Sequence, residues 1–211
     1  MNKSQLTNFI TKYTLGGEIK STKWTSNGDS LSTRFISGDK SVVGRVELNK
    51  FSHLKPCELG VYNTGQLSSL LSVLGDDVEV KLSQSGDKFI SMELEDTKRK
   101  TKSKYMLSDL SVIPTPPELK NLPDSFELGI KVDPYFVSTF ISGKGALSEA
   151  ETFTILTENG ETKIVIGYAS IASNRVTIPV ETTKGGEIEP ISFNANMFAS
   201  ILNANKDCES A

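Results

Sequence analysis

His53 and Cys57 are the residues of this sequence best suited to bind a metal, and they form the pattern H-x-x-x-C. His53 is the only histidine in the chain, whereas a structural zinc site needs four ligands. The pair supplies two of them, and Cys208 is the only other cysteine, so a disulfide framework is also excluded. We therefore interpret His53 as an ordinary residue at a strand end and expect no metal and no other cofactor.

Residues for catalysis do not group in this sequence either, because no nucleophile, base and orienting acid can be identified together. Glu93, Glu95 and Asp96 fall on alternating strand positions or on a turn, as solvated carboxylates do. The glycine pairs Gly16-Gly17 and Gly185-Gly186 lack the remaining residues of a phosphate-binding loop. We expect a protein that is not an enzyme.

A basic run, KRKTKSK from Lys98 to Lys104, carries five positive charges in seven residues. Such a run is typical of a solvated hairpin, or of an edge strand whose lysines prevent unwanted pairing. The net charge of the chain is -3, whereas domains that hold nucleic acid by bulk electrostatics carry a marked basic excess. Any contact with DNA therefore has to use a local basic surface.

Composition is that of a soluble globular protein, with 37% apolar and 23% charged residues. No apolar run approaches the roughly 18 residues that indicate a membrane span. The first residues, MNKSQLTNFITKY, lack the apolar core and cleavage site of a secretory signal, which predicts a cytoplasmic protein.

A repeat runs through the sequence at a constant offset of 131 residues. YNTGQLSSLLS from Tyr62 aligns with FNANMFASILN from Phe193, since each has an aromatic residue, an Asn suited to cap a helix, and then apolar and small residues in the same order. LTNFI from Leu6 aligns with VSTFI from Val137 at the same offset. We interpret these matches as a duplication in which each half contains two helices.

Between the helices of each half, the apolar pattern changes to the period of two that is typical of strands. Leu31, Thr33 and Phe35 alternate in the first half, and in the second half TFTILTENGETKIVIGY predicts two strands joined by a tight turn at Asn159-Gly160. The stretch 111–126, SVIPTPPELKNLPDSF, contains four prolines and predicts an extended connector. We predict a first domain at 1–110, the connector at 111–126 and a second domain at 127–211.

The repeat also predicts what should follow the last helix. Asp76 aligns with Asp207, so the strands predicted from Val78 to Leu110 should have counterparts that start near residue 209, whereas the sequence stops at Ala211. We expect a fragment whose second domain lacks its last strands and is less stable than the first domain. The alternative is an intact protein that has lost these strands.

Three stretches of the sequence resemble DNA sliding clamps, most closely the trimeric clamps of T-even-type phages. They are LTNFITKY with the following GGEIK, LGVYNTGQLSSLLSVLGDDVEVKLSQSGDKFISMEL, and KYMLSDLSVIPTPPELKNLPDSF. The middle stretch is the most specific, because it combines a strand, an Asn-capped Leu-rich helix, an acidic turn and a Ser-Gly hairpin. The resemblance implies an α+β fold: a duplicated DNA-clamp domain, each copy with two helices packed on antiparallel sheets, that forms rings.

The same resemblance implies the function. A homotrimeric ring encircles duplex DNA without sequence specificity and tethers the replicative DNA polymerase, which makes synthesis processive. The ring is loaded by a separate clamp-loader ATPase, and some phage relatives also recruit transcription machinery. The protein would then be viral and would act in the cytoplasm of the host cell.

Cations that face DNA phosphates are expected on or beside the helices, off their apolar sides. The residues that we expect in this role are Lys3, Lys12, Lys20, Lys144 and Lys206. The second helix, from Asn63 to Leu74, carries no Lys or Arg, so its part of the channel would be neutral.

Ring closure requires a head-to-tail contact. The resemblance implies that this contact pairs the edge strand 102–110 of the first domain with the strand 174–181 in the second domain of a neighbouring subunit. The basic run would then face acidic residues such as Glu181 and steer assembly. Pro179 requires that its missing N–H point away from the partner strand. The residues expected at this interface are Lys102, Tyr105, Leu107, Val176, Ile178 and Val180.

Partner peptides of this family bind in an apolar pocket beside the connector, and the residues expected to line it are Ile36, Val42 and Ile113. The rival hypothesis is a duplicated β-rich structural protein, such as a virion assembly component. Clustered lysines on helix faces favour a clamp, since a structural protein has no need of them.

Overall fold

The computed structural model describes residues 1–118, 125–169 and 173–206. The chain divides into two compact units, Met1–Leu119 and Lys120–Ala211. Each unit combines two helices with antiparallel strands, so the fold is α+β as expected.

The first unit begins with a helix and ends with a three-stranded sheet. Its helices are α1 (Lys3–Thr14) and α2 (Thr64–Ser72). Its strands are β1 (Thr22–Ser26), β2 (Ser30–Ile36), β3 (Val43–Asn49), β4 (Cys57–Val61), β5 (Val78–Ser85), β6 (Lys88–Asp96) and β7 (Lys102–Met106). They form one sheet in the order β3-β2-β1-β4 and another in the order β5-β6-β7.

The second unit contains the helices α3 (Pro134–Ala146) and α4 (Ala195–Ala204). Its strands are β8 (Leu128–Ile130), β9 (Thr152–Glu158), β10 (Glu161–Ile166), β11 (Val176–Pro179), β12 (Thr182–Gly185) and β13 (Ile191–Asn194). The four-stranded sheet has the order β11-β10-β9-β13, and β12 pairs separately with β8. In sequence order, this larger sheet has the same strand arrangement as the β3-β2-β1-β4 sheet of the first unit.

Each helix begins after a residue whose side chain caps it, and Asn63 and Asn194 are the caps that the sequence predicts. The side chains of Asn2, Asn63, Asp133 and Asn194 each accept a hydrogen bond from a backbone N–H in the first turn of α1, α2, α3 and α4, respectively. Such a cap satisfies a donor that has no partner within the helix. The predicted turn at Asn159-Gly160 is confirmed, since both residues have positive φ and Glu158 pairs with Glu161 across the hairpin.

The core of the first unit joins both helices to the middle of the four-stranded sheet. Phe9, Tyr13 and Trp24 are buried and pack edge to face, with ring centroids 5.5 to 6.5 Å apart. Trp24 Nε1 donates to Tyr13 Oη at 3.2 Å, and Tyr13 Oη donates to Thr64 Oγ1 at 3.3 Å. Burial raises the pKa of Tyr13 well above its ordinary value, so the hydroxyl keeps its proton.

Asp96, interpreted from the sequence as a solvated carboxylate, is instead buried and fixes the turns beside α2. Asp96 is 2% exposed and accepts hydrogen bonds from the backbone N–H groups of Gly75, Lys98 and Arg99 at 2.8 to 2.9 Å. These bonds, the one from Arg99 above all, hold the pKa of Asp96 below its ordinary value. The acidic turn after α2 is thereby tied to the hairpin between β6 and β7.

The core of the second unit is a cluster of phenylalanines between the helices and the sheet. Phe140 is fully buried, and its ring centroid lies 5.1 Å from that of Phe153 and 4.9 Å from that of Phe198. Gly143 permits the close approach of α3, because a Cβ there would lie 3.0 Å from Val176 Cγ1.

The two helix pairs differ in how deeply their apolar residues are covered. In the first unit, Leu67 and Leu71 of α2 are buried, and Ser103 of β7 donates to Leu70 O at 3.2 Å. In the second unit, a groove of about 720 Å³ lies along α3 and α4, and Ile141 and Ile201 in its wall are only half-buried. In the described part of the second unit, an apolar groove along α3 and α4 is therefore left uncovered.

Substitution of Phe140 tests the core of the second unit. Phe140→Ala should lower the free energy of unfolding by about 3–5 kcal/mol, because it removes a fully buried aromatic ring and leaves a cavity. Tyr135 on the same helix is 77% exposed and provides the control. Tyr135→Ala should change the free energy of unfolding by about 0.5 kcal/mol or less.

Urea unfolding followed by circular dichroism and by tryptophan fluorescence separates the units, because Trp24 in the first unit is the single tryptophan. With Phe140→Ala, the circular dichroism signal should begin to change at lower urea than the fluorescence. Coincident shifts of both signals would show that the cluster does not stabilise the second unit on its own.

Candidate functional site

The helices α1 to α4 of the described residues share one chemical property. None of them contains an Asp or a Glu, although the chain has 26 acidic residues. The outward positions of α1 and α2 carry small or neutral polar side chains instead. These exposed residues are Ser4, Gln5, Thr7, Asn8, Thr11, Gln66, Ser69 and Ser72. A polyanion can approach such a surface without meeting fixed negative charge.

Two of the five expected lysines lie at the ends of α1, and a third lies between α1 and β1. Lys3 is half-buried, and its Nζ donates to Leu74 O at 2.6 Å, which ties the start of α1 to the residues after α2. Lys12 is half-buried in the last turn of α1, and Lys20 is exposed a few residues later. All three remain predictions as DNA contacts.

Lys144 does not fit its predicted role. It is 8% exposed, and its Nζ donates to Leu147 O at 3.4 Å and to Ser148 O at 2.8 Å. The ammonium therefore satisfies carbonyl groups at the end of α3, where the helix dipole favours a cation, and does not extend toward solvent. Lys206 is exposed after α4 and lines the edge of the α3–α4 groove.

The strands predicted to close a ring, β7 and β11, are edge strands of their sheets among the described residues. Leu107 N donates to Ile90 O and Val180 N donates to Thr162 O, so the odd-numbered residues of β7 and the even-numbered residues of β11 bond to their own sheets. The backbone groups of Lys102, Lys104 and Thr177 consequently point away from those sheets.

Two of the side chains predicted to oppose each other across subunits point into the core of their own unit. Tyr105 is 3% exposed, and its Oη accepts from Asn63 N at 2.9 Å, while Ile178 is 3% exposed in the core of the second unit. Leu107, Val176 and Val180 are half-buried, and Lys102 is exposed. Tyr105 and Ile178 stabilise their own units, so strand pairing at these edges would rest on backbone groups and on Lys102.

Pro179 lies at an outward position of β11, since the residues on both sides of it bond to β10. Its missing N–H therefore points toward any neighbouring strand, contrary to what the predicted register requires. Pairing at this edge is limited to the part of β11 before Pro179.

The basic run is paired within the first unit. Lys98 contacts Asp77 at 2.8 Å, Lys102 contacts Glu95 at 3.3 Å, and Glu181 in the second unit contacts Lys131 at 2.8 Å. Exposed pairs of this kind contribute about 0–1 kcal/mol each. The predicted attraction between the run and Glu181 would have to compete with these partners.

One of the residues expected in the peptide pocket, Ile36, borders a cleft. Ile36 lies with Pro114 and Pro116 around a cleft of about 350 Å³ in the first unit. Ile113 is 3% exposed and packs under Gly60, so it is unavailable to a peptide, and Val42 does not line the cleft. Sequence analysis missed Lys20 and Arg34 as charged residues of this cleft, because their proximity depends on the fold.

His53 and Cys57, the residues best suited to bind a metal, do not belong to a cluster of possible ligands among the described residues. Within the described part of the chain, no group of three or more His, Cys, Asp or Glu is placed to hold a metal ion. Burial lowers the pKa of His53, whose ring packs on Phe51, and burial raises the pKa of Cys57. No helix among these residues is long and apolar enough to span a membrane.

Comparison with known proteins identifies the fold. Neither a family model nor a curated protein sequence matches the chain. A chain in the solved structure of the C-terminal region of FEN-1 bound to A. fulgidus PCNA is similar in fold, with a TM-score of 0.69 and 13% sequence identity, over 97% of this chain and 81% of that chain. The chain thus has the fold of a PCNA-type sliding clamp.

Substitution of Lys144 separates a structural role from a DNA contact. Lys144→Met should lower the free energy of unfolding by about 1–3 kcal/mol, because two carbonyl groups lose their donor. Lys184→Met, at an exposed position of β12, is the control and should change the free energy of unfolding by about 0.5 kcal/mol or less. Urea unfolding measures both variants, and equal stability of Lys144→Met and the unmodified chain would contradict the structural role.

Proposed function

We propose that this chain is a sliding clamp that encircles duplex DNA as a homotrimeric ring and tethers a DNA polymerase to its template. The PCNA-type clamp fold is the premise of the proposal. The observation that carries it is the absence of Asp and Glu from the four helices of the described residues, in a chain whose net charge is -3.

The charge distribution suits a ring that surrounds a polyanion. Acidic residues of the described chain lie in strands, turns and helix-flanking positions, whereas the helices present hydroxyl, amide and a few ammonium groups. A surface without carboxylates avoids repulsion of the phosphates, and the scarcity of cations keeps the attraction weak. Weak, sequence-independent contact is what a protein that slides along DNA needs.

Ring closure is supported by the two edge strands. β7 and β11 both offer outward backbone donors and acceptors, and they belong to different units, as head-to-tail closure requires. We propose that β7 of one subunit pairs with β11 of the next. Lys102 would lie at this interface, with Leu107 and Val176 packed beside it.

The relation to clamps of T-even-type phages rests on the sequence motifs around LGVYNTGQLSSLL and the proline-rich connector. On this basis we propose a viral protein that acts in the host cytoplasm without enzymatic activity or cofactor. Its partners would be the replicative polymerase, a clamp-loader ATPase and, as in some phage relatives, transcription machinery. Lys3, Lys12, Lys20 and Lys206 are proposed to contact phosphates.

A carboxylate placed on the helix face tests the proposal. Thr7 is exposed on α1, and Thr7→Glu would place one negative charge per subunit near the phosphates. Each carboxylate would cost about 1 kcal/mol at 4 Å in water, and a homotrimer contains three copies. Processive synthesis on primed circular DNA, measured as product length with loader and ATP, should fall by about 10-fold or more.

Two matched variants control this experiment. Thr7→Gln adds similar bulk without charge, and Ser85→Glu adds the same charge at an exposed position at the end of β5, so both should support long products. Product length that is independent of the unmodified protein would contradict the clamp function and favour a structural role. Equal losses for Thr7→Glu and Ser85→Glu would show that the helix face has no special role.

A further inference from the structure

The free edges of β7 and β11 restrict how these two strands can pair between copies of the chain. The backbone groups that point away from the sheet of β7 belong to Lys102, Lys104 and Met106. On β11 and the residue before it, the same alternation gives Arg175, Thr177 and Pro179. In an antiparallel ladder, the outward residues of one strand stand opposite the outward residues of the other. Thr177 can therefore lie opposite any of three residues of β7.

Pro179 and Arg175 disfavour two of these three registers. Thr177 opposite Met106 would place Pro179 opposite Lys104, where the missing N–H would interrupt the middle of the ladder. Thr177 opposite the first residue of β7 would place Arg175 opposite Lys104, and like charges directly opposite each other are destabilising. The remaining register has Thr177 opposite Lys104. It moves Pro179 to the end of the ladder and brings Arg175 opposite Met106.

A cleft lies next to Met106, where β7 ends. It has a volume of about 360 Å³, and its lining includes Leu107, Ser108 and Asp109, the three residues that follow β7. Ser108 pairs with Gly60 of β4, so the chain passes there from one sheet of the first unit to the other. We call this space the β7-end cleft. A residue opposite Met106 on a neighbouring strand would lie beside it.

The β7-end cleft combines an excess of negative charge with an apolar wall. The apolar residues of its lining include Ile90, Leu107 and Leu110. Its carboxylates belong to Glu58, Asp87 and Asp109, and Lys88 is its cation. Lys88 contacts Asp109, and this hydrogen bond is the main reason that the pKa of Asp109 lies below its ordinary value. Glu58 and Asp87 are exposed and form no ion pair among the described residues, so both can accept a cation from outside.

Arg175 has the charge and the shape that this cleft requires. Its side chain is exposed, and it forms no ion pair among the described residues. Glu158 of the same unit is already paired with Lys163, which is also the main cause of the lowered pKa of Glu158. A guanidinium forms two parallel hydrogen bonds with a carboxylate, while the aliphatic stem of an arginine packs on apolar surface.

We propose that the β7-end cleft binds Arg175 of the partner subunit, a second copy of this chain, with the guanidinium on Glu58. Asp87 adds a second negative charge. The contact fixes the register in which Thr177 lies opposite Lys104. The proposal rests on the proposed ring and deepens it, since it names the residues that select the register. It also reverses the polarity expected from the sequence, because the second unit contributes the cation and the first unit the carboxylates.

Charge reversal with rescue tests the contact. Sedimentation velocity gives the concentration at which half of the full chain is assembled. Arg175→Glu should raise this concentration about 10-fold or more, because it replaces attraction by repulsion at every subunit contact. Arg175→Glu combined with Glu58→Arg should recover most of the loss. Recovery by a second charge reversal separates a lost contact from a misfolded variant.

Two matched variants control the experiment. Lys184→Glu reverses an exposed charge on β12 and should assemble as the unmodified chain does. Arg175→Glu combined with Asp29→Arg reverses an exposed carboxylate that does not line the β7-end cleft, and it should stay as weak as Arg175→Glu alone. Added salt should weaken assembly of the unmodified chain more than assembly of Arg175→Gln.

Cross-linking reads the register directly. Arg175→Lys keeps the positive charge and supplies an amine, which a carbodiimide joins to a contacting carboxylate as an amide while the reagent takes up the water. In a mixture of isotope-labelled and unlabelled chains, mass spectrometry should find position 175 of one copy joined to Glu58 or Asp87 of another. Links from position 175 to Glu158 of the same copy alone would overturn the proposal.

The outcomes distinguish this contact from the ring and from the clamp function. Unchanged assembly of Arg175→Glu, or no recovery with Glu58→Arg, would overturn the contact and leave the ring. A chain that stays monomeric at millimolar concentration would overturn both. A trimer that shows charge rescue but gives no processive synthesis would count against the clamp function and support the contact.

Discussion

The packing of one apolar side of each helix pair against an antiparallel sheet is the interaction on which the rest of the structure depends. Phe9 and Tyr13 fix α1 to Trp24 in the first unit, and Phe140 fixes α3 to Phe153 in the second. Burial of such rings contributes about 1.5–3 kcal/mol each. This packing decides which side of every helix is left for solvent or for a ligand.

Acidic side chains lie on the strands and turns, and the helices carry none of them in the described part of the chain. Carboxylates are excluded from the helices, and they concentrate on strands and turns, where many of them pair with lysines of the same sheet. The acidic total charge and the uncharged helix faces are therefore compatible. A net charge of -3 therefore does not describe the faces of the helices.

Much of the fold follows from the sequence, because periodicity and capping act locally. The helices α1 to α4, the caps Asn63 and Asn194 and the Asn159-Gly160 hairpin could be predicted, whereas the cap Asn2 was missed. The absence of Asp and Glu from these helices could also be predicted from the sequence, but a search for lysines alone overlooks it.

The site could be predicted only in part, since side-chain direction at element ends depends on tertiary contacts. Lys144 turns back onto the carbonyls after α3, and Tyr105 points inward to Asn63 because of the strand register. Lys23, Arg34 and Arg45 stand opposite one another because β1, β2 and β3 pair in this register, which no short motif records.

Topological linkage to DNA is the central claim, and retention on closed and open DNA measures it most directly. The protein is loaded with loader and ATP onto a nicked circular plasmid, and half of the sample is linearised before gel filtration in high salt. A clamp should stay with the circle and slide off the linear form. Equal loss from both forms, or equal retention on both, would contradict encirclement.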